Sequence, residues 1–449
     1  MRFKIIVPNL VIFFITGLFI SLFLLNLFNY EFYTDSLFDI FICLVVPVLL
    51  AALSLFAFRL SEDGRLALAN AFFAFVVAVY GAELFLTVTL KKSETIKGSK
   101  LGIIHDLRGE GIDAYPAMRA LSLLAEDKNG EVVSDLKDGD AQLLPLGGLP
   151  DKTTVACNES GQWMIYKSDK YGFNNPPEAW DDRPLKIGMV GDSFTHGNCV
   201  KQYKNMAAVL SEKFGRVVNT GISGNGPLLE LAALREYLAP LTPETVIWSF
   251  YEGNDITENM PFERKSRLLR SYVDDDSFSQ GLMARNDEIA DHLKQYLDKQ
   301  MAEVIYRMNE IEPYKDFLQI NSLRGRLGLG VVSIGVFEGG KDEDYKMLRA
   351  VLLKAKTLVE SWGGRFYFVY LPESDRYFGG FSRNRIREKI HSRTLETVSE
   401  LGIEAIDITK TFAAAPDARR FFYYPGSHYN DEGYKTAAHA IGEALAEKK

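Results

Sequence analysis

The sequence predicts an α/β protein in two parts: an all-α transmembrane region, followed by a three-layer domain with helices on both faces of a parallel five-stranded sheet. Three observations lead there. Residues 1–92 are strongly apolar, and most of the charge of the 449-residue chain, net −8, lies beyond them. After residue 184, short apolar runs alternate with stretches at helical spacing, the pattern of parallel strands joined by crossover helices. The length also suits one large domain of roughly 200–250 residues with accessory parts.

Taken in order, apolar stretches at about 5–28, 40–58 and 66–90 are each expected to cross a bilayer, which takes roughly 20 apolar residues per helix. The first has a signal-peptide alternative, with Arg2 and Lys4 as its positive start, but no small-x-small cleavage pattern precedes the polar stretch 29–36. Arg2 and Lys4 precede span one, the loop before span two has no Lys or Arg, and Arg59 and Arg65 precede span three. The positive-inside rule then puts the N-terminus in the cytoplasm, and three spans carry residue 93 onward across. Lys91, Lys92, Lys97 and Lys100 argue the other way. The expected location is a bacterial inner membrane, multi-pass, with the domain periplasmic or otherwise outside. Glu83 in span three is either a functional intramembrane carboxylate or a structural one.

Residues 93–184 are expected to form an ordered extension packed on the domain, with turns at 144–150 and 174–177 and aromatics at Trp163, Tyr166, Tyr171 and Phe173. His105 within it has no recognisable partner and is expected to be structural. From there the predicted strands are 185–190, 217–220, 245–251, 365–371 and 404–408; the helices between and after them are 206–214, 228–237, 344–362, 386–401 and 428–445. A helical insertion at about 256–345 interrupts the alternation. Its strongest element, 287–306, places Ile289, Leu293, Leu297, Met301 and Ile305 on one face. The insertion is either a self-packed surface piece or a lid near the third strand's end, and His292 on that helix is expected to be solvated or packed.

In such sheets ligands bind beyond the carboxyl ends of the strands, so the polar residues just past each strand matter most. Gly191-Asp192-Ser193 follows the first strand and could expose a serine hydroxyl at a strand-to-helix turn. Serine nucleophilic catalysis also needs a base and an oxyanion hole, which must come from elsewhere. Four blocks supply candidates in order: Gly191-Asp192-Ser193, Asn219-Thr-Gly-Ile-Ser-Gly224, Gly253-Asn254-Asp255 and Ser427-His428-Tyr-Asn-Asp-Glu-Gly433. On these blocks residues 185–449 resemble the SGNH/GDSL hydrolase family. The resemblance implies Ser193 as nucleophile, with its backbone N–H, that of Gly224 and the Asn254 amide as oxyanion donors. It implies His428 as the general base.

One position departs from the family pattern. The supporting acid usually stands three residues before the histidine, where this chain has Pro425. His428 could be oriented by a backbone carbonyl or by Asp407, Asp417 or Asp431. His196, three residues past Ser193, is expected to contact substrate, to support the site from behind or to be structural; Asp192 and Asp255 are candidates for holding the loops. Of three cysteines, Cys43 falls in a span, and Cys157 and Cys199 could pair as a disulfide or remain buried thiols.

The reading that follows is a membrane-anchored serine esterase or deacylase acting on an ester, most naturally of an envelope or exported polysaccharide. The alternatives are a polysaccharide O-acyltransferase, a lipid or lysophospholipid esterase, and a non-catalytic polysaccharide-binding or assembly component. Expected partners are the lipid bilayer, a carbohydrate ester and polysaccharide-assembly membrane proteins. No cofactor or metal is expected, because neither a zinc-like Cys/His spacing nor a glycine-rich phosphate loop occurs. The soluble part is not strongly basic, which argues against nucleic acid.

Overall fold

The computed structural model describes residues 3–28, 41–90, 99–139, 141–310, 340–378 and 381–447. The loop at 29–40, Lys91, Lys92, Lys97 and the 311–339 part of the expected insertion lie outside the described residues, as do the side chains of Cys43 and Ile305. The chain divides into two compact units, Met1–Thr95 with Val304–Phe337 and Ile96–Glu303 with Glu338–Lys449.

In the first unit the helix Phe3–Phe28 packs against Val46–Phe56 and Glu62–Leu90. Two polar contacts join them: Thr16 Oγ1 lies 2.8 Å from Ser54 Oγ, and Arg65 Nη1 donates to Asn9 Oδ1 at 3.1 Å. Large apolar side chains such as Phe13, Leu53, Phe73 and Phe85 point outward and are exposed. Glu83, in contrast, is fully buried. Two helices are long and apolar enough to cross a membrane, Ile6–Leu24 and Glu62–Leu86. Over its described residues the expected second span is continuous helix: Phe41–Val45 is a π-helical turn, Val46–Phe56 is α-helix and Ala57–Arg59 is a 3₁₀ turn. Among the described residues the middle apolar helix, Val46–Arg59, is shorter than these two.

The second unit is built on a parallel sheet. Its strands are β1 (Ile187–Val190), β2 (Val217–Asn219), β3 (Thr245–Tyr251), β4 (Arg365–Leu371) and β5 (Glu404–Asp407). They lie in the order β5-β4-β3-β1-β2, with every neighbouring pair parallel. Because side chains alternate across a strand, the central strands bury both faces. Val246, Trp248, Phe250, Phe366, Phe368 and Tyr370 enter one core. Ile187, Met189, Ile247, Tyr367, Val369 and Leu371 enter the other. Helices Pro227–Ala233 and Asp342–Ser361 supply the first core; Met206–Phe214, Ile408–Ala413 and Asp431–Ala446 supply the second.

Local chemistry sets the helix limits. Asn205 caps Met206–Phe214 by accepting from the Ala208 N–H at 2.8 Å, and Gly215, at φ 91°, ends it in a conformation that costs a Cβ-bearing residue dearly. Asn430 caps the last helix through the N–H groups of Glu432 and Gly433.

The extension contributes helix Lys100–Gly109 and a small sheet of Ala114–Pro116, Thr153–Val155 and Ile165–Lys167. Leu123, Leu144, Leu146 and Phe173 share one core with Leu228, Tyr237 and Trp248. Buried Asp169 gathers the loop by accepting from Trp180 Nε1, Asn175 Nδ2 and the N–H groups of Tyr171 and Phe173. Asn175 in turn exchanges two hydrogen bonds with the backbone of Asn219, at the end of β2. Within the insertion, helix Asn286–Glu310 turns Ile289, Leu293, Leu297 and Met301 into that same core, so its described part is not self-packed.

Candidate active site

The polar residues beyond β1, β2 and β3 and before the last helix meet at one edge of the sheet. After Val190 the chain turns at Gly191, where a Cβ would fall 2.1 Å from Thr195 Oγ1. Any side chain there would push the following turn away, which is why glycine stands before Asp192. Asp192 Oδ1 then accepts from the Phe194 N–H at 2.9 Å and starts the short helix Ser193–His196, with Ser193 at its first position.

His428 reaches Ser193 from the far end of the chain. Its loop is tied by Ser427 Oγ, which accepts from the Tyr423 and Tyr424 N–H groups, and by the Gly426 N–H donating to Ser374 Oγ at 2.7 Å. The Phe194 ring packs beside the imidazole with centroids 4.8 Å apart. His428 Nε2 lies 2.9 Å from Ser193 Oγ. On the other side, His428 Nδ1 lies 2.8 Å from Glu159 Oε1, and the His428 backbone N–H donates to Glu159 Oε2 at 2.7 Å. A carboxylate can only accept, so Nδ1 carries the proton and Nε2 is left to accept from the serine hydroxyl.

Glu159 corrects the expectation for the supporting acid, which sequence reasoning missed. The three aspartates considered are engaged elsewhere. Asp407 caps the helix after β5 through the Thr409 N–H and holds His391 Nε2 at 3.0 Å. Asp417 binds Arg419, and Asp431 pairs with Lys204 at the surface. The place left empty at Pro425 is filled instead by a residue 269 positions before His428, on the loop between two extension strands. A signal was present: Cys157, two residues before Glu159, is disulfide-bonded to Cys199, with Cα atoms 5.2 Å apart. Cys199 lies six residues past Ser193, so that pairing draws the 157–159 loop to the nucleophile.

His196 is fully buried, hydrogen-bonded at Nε2 to Tyr166 OH (2.9 Å) and at Nδ1 to Asn198 Oδ1 (2.7 Å). Burial pushes its pKa down to about 4, so it is neutral at ordinary pH and ties the extension to the Ser193 helix. Burial also pushes Asp192 up to about 6, against the hydrogen bond from Phe194 N–H. Asp255 is raised well above the usual carboxylate range, first by burial and then by the charge of Asp192. Its Oδ2 accepts from the Tyr251 N–H at 2.7 Å and closes the loop after β3. His105, by comparison, is an exposed residue beside Asp106 and is not among the residues lining the cavity that holds Ser193 and His428.

Ser193, Gly224, Asn254 and His428 line one cavity of about 340 Å³. Gly224 sits at φ 83°, a left-handed conformation that suits glycine. Asn254 lines the same cavity, and its Oδ1 is buried without a partner among the described residues. Among the described residues, the lining comes from the extension and the strand-end loops and not from the insertion, so the described part of the insertion forms no lid over Ser193. Cys157, Glu159, Cys199 and His428 lie close enough together to be weighed as a metal-ligand set. The disulfide takes up both sulfurs, and a proton shared with Glu159 takes up Nδ1, so these residues do not fit a resident ion.

No protein-family model and no curated protein matches the chain. Solved structures do. A member of the lipolytic protein G-D-S-L family from Veillonella parvula is 14% identical, over 58% of this chain and 98% of that one, with a TM-score of 0.32. The lipase/acylhydrolase from Enterococcus faecalis is 13% identical, over 59% and 96%, with a TM-score of 0.33. A putative lipolytic protein of the G-D-S-L family from Desulfitobacterium hafniense is 16% identical, over 58% and 99%, with a TM-score of 0.32.

Proposed function

We propose that this chain is a serine esterase of the SGNH/GDSL type. One observation carries the reading: the continuous line Glu159–His428–Ser193, with contacts of 2.8 and 2.9 Å, opening on the cavity that Gly224 and Asn254 share. His428 Nε2 takes the Ser193 proton as Oγ attacks an ester carbonyl. The developing oxyanion is met by the N–H groups of Ser193 and Gly224 and by the Asn254 amide. Collapse expels the alcohol, which receives the proton from His428 and leaves an acyl-serine. A water, deprotonated by the same imidazole, then releases the acid and restores Ser193. Glu159 fixes the tautomer and offsets the imidazolium charge in both steps.

The cavity is small and its lining includes Ser223, Asn198 and Ser427, which suits a short acyl group on a polar alcohol better than a long acyl chain. An ester of an envelope or exported polysaccharide is the substrate class proposed on that ground; transfer of the acyl group to a sugar hydroxyl would use the same acyl-serine. The exposed apolar faces of the first unit support a membrane anchor, and the Cys157–Cys199 disulfide supports an oxidising compartment outside the cytoplasm. The test is fluorophosphonate labelling and short-ester turnover by the full chain in detergent, with Ser193→Ala and His428→Ala alongside. Labelling that persists without Ser193, or turnover unaffected by loss of His428, would sink the assignment.

A further inference from the structure

The cavity over Ser193 carries two cations and no carboxylate. Lys100, at the start of the first extension helix, and Arg119, before Ala120–Leu123, both line it. This is unexpected in a chain of net charge −8. Several other cations of the unit meet a carboxylate: Arg108 with Asp298, Lys152 with Asp113, Arg264 with Asp344. Among the described residues neither Lys100 nor Arg119 has an ion pair or a side-chain hydrogen bond. Arg119 lies against the expected oxyanion loop, since a Cβ on Gly224 would come within 2.9 Å of its Nη2. Lys100 is half-buried, and its amine is held below the usual lysine range, first by burial and then by the charge of Arg119. Arg119 is exposed at the cavity mouth, so the cost of the like charge falls on half-buried Lys100, and an anion between the two would relieve it.

We propose that Lys100 and Arg119 form a subsite for a carboxylate carried by the substrate close to its scissile ester, so that the enzyme selects acidic esters over neutral ones of the same shape. The inference rests on the esterase reading for its meaning but not for its test. A guanidinium meets a carboxylate in a fork and an ammonium adds a point charge, so the pair can hold one carboxylate from two sides. The carboxylate belongs to the acyl half or to the alcohol half of the ester, and two probe pairs separate these sources.

Full-length Ser193→Ala protein in detergent is titrated with 4-carboxyphenyl acetate against 4-carbamoylphenyl acetate, and with monophenyl glutarate against phenyl glutaramate. Each pair differs only in carboxylate versus amide. The expected result is tenfold or tighter binding of the carboxylate in one pair, with the ratio falling to about one when Lys100→Gln and Arg119→Gln are added. The pair that shows it locates the anion. Equal affinities within both pairs, no measurable binding of either carboxylate, or a preference that survives loss of both cations would overturn the proposal. Because the readout is binding by a protein without its serine, absence of Ser193-dependent turnover in the native chain would overturn the esterase reading separately.

Discussion

Replacing Glu159 tests the least expected part of the site. Its carboxylate accepts twice from His428, from Nδ1 at 2.8 Å and from the backbone N–H at 2.7 Å. Both side chains are about one-fifth exposed, so water screens the pair only in part. A hydrogen bond to a charged group contributes about 1.5–3 kcal/mol. The contact to Nδ1 strengthens as the imidazolium forms, so Glu159→Ala should raise the barrier by about 3–4 kcal/mol, a loss of roughly 10²–10³ in kcat. Glu159→Gln should be nearly as damaging for a different reason. Both His428 groups donate, and an amide has only one oxygen to offer them. If its NH₂ faces Nδ1, the ring proton moves to Nε2, where it blocks acceptance from Ser193. The assay is the kcat for phenyl acetate together with the rate of fluorophosphonate labelling, in full-length protein whose folding is checked by near-UV circular dichroism. A folded Glu159→Ala variant within about threefold of wild type would refute the role drawn from this geometry.

Other outcomes follow from the same contacts. Asn254→Ala should lower kcat by about 10²–10³ with little change in KM, because its amide serves the charge that develops after attack; equal losses in ground-state binding would contradict this. Reducing Cys157–Cys199, or replacing both with serine, should release a 42-residue separation and cost up to about 4 kcal/mol of stability in the chain-entropy model. Ester turnover should fall with it as the Glu159 loop loosens, and undiminished kcat in the reduced protein would count against that coupling. His196 has a folded pKa depressed from 6.5 to about 4, so its contribution to stability is complete above pH 6.5 and is lost as pH falls toward 4, roughly 3 kcal/mol across that window. Asp192, raised to about 6, works in the opposite sense, gaining relative stability as it is protonated below pH 6. The measurement is therefore the difference in denaturation free energy between native protein and His196→Gln between pH 7 and 4, and a flat difference would rule the buried neutral histidine out.

The central strands β3 and β4 were legible from their own residues, because a strand covered on both faces is apolar along nearly its whole length, whereas β5 (Glu404–Asp407), at the sheet edge, was legible from its place in the alternation of strands and helices. Val246 to Tyr251 and Phe366 to Leu371 feed the two cores by simple alternation. Ser193, Gly224, Asn254 and His428 were legible through the resemblance of their four sequence blocks to the SGNH/GDSL family, and the first three follow strands whose carboxyl ends share one edge of a parallel sheet. The supporting acid was not legible in this way. Nor did proximity in sequence distinguish His196, which needed the buried Tyr166 hydroxyl beside it to be recognised as a tie between extension and domain.

The supporting acid marks the limit most sharply. Aspartates near the histidine or the last strand had helix caps and surface cations of their own, and these compete for a carboxylate at short range. Glu159 lies in an irregular loop with no periodicity to orient it, and only the folding of the extension, fastened by Asn175 on β2 and by the disulfide to Cys199, carries it to His428. Sequence alone determined which groups could do the chemistry; tertiary structure decided which carboxylate holds the base, because that contact is made between separately folded pieces of chain and leaves no local pattern in either.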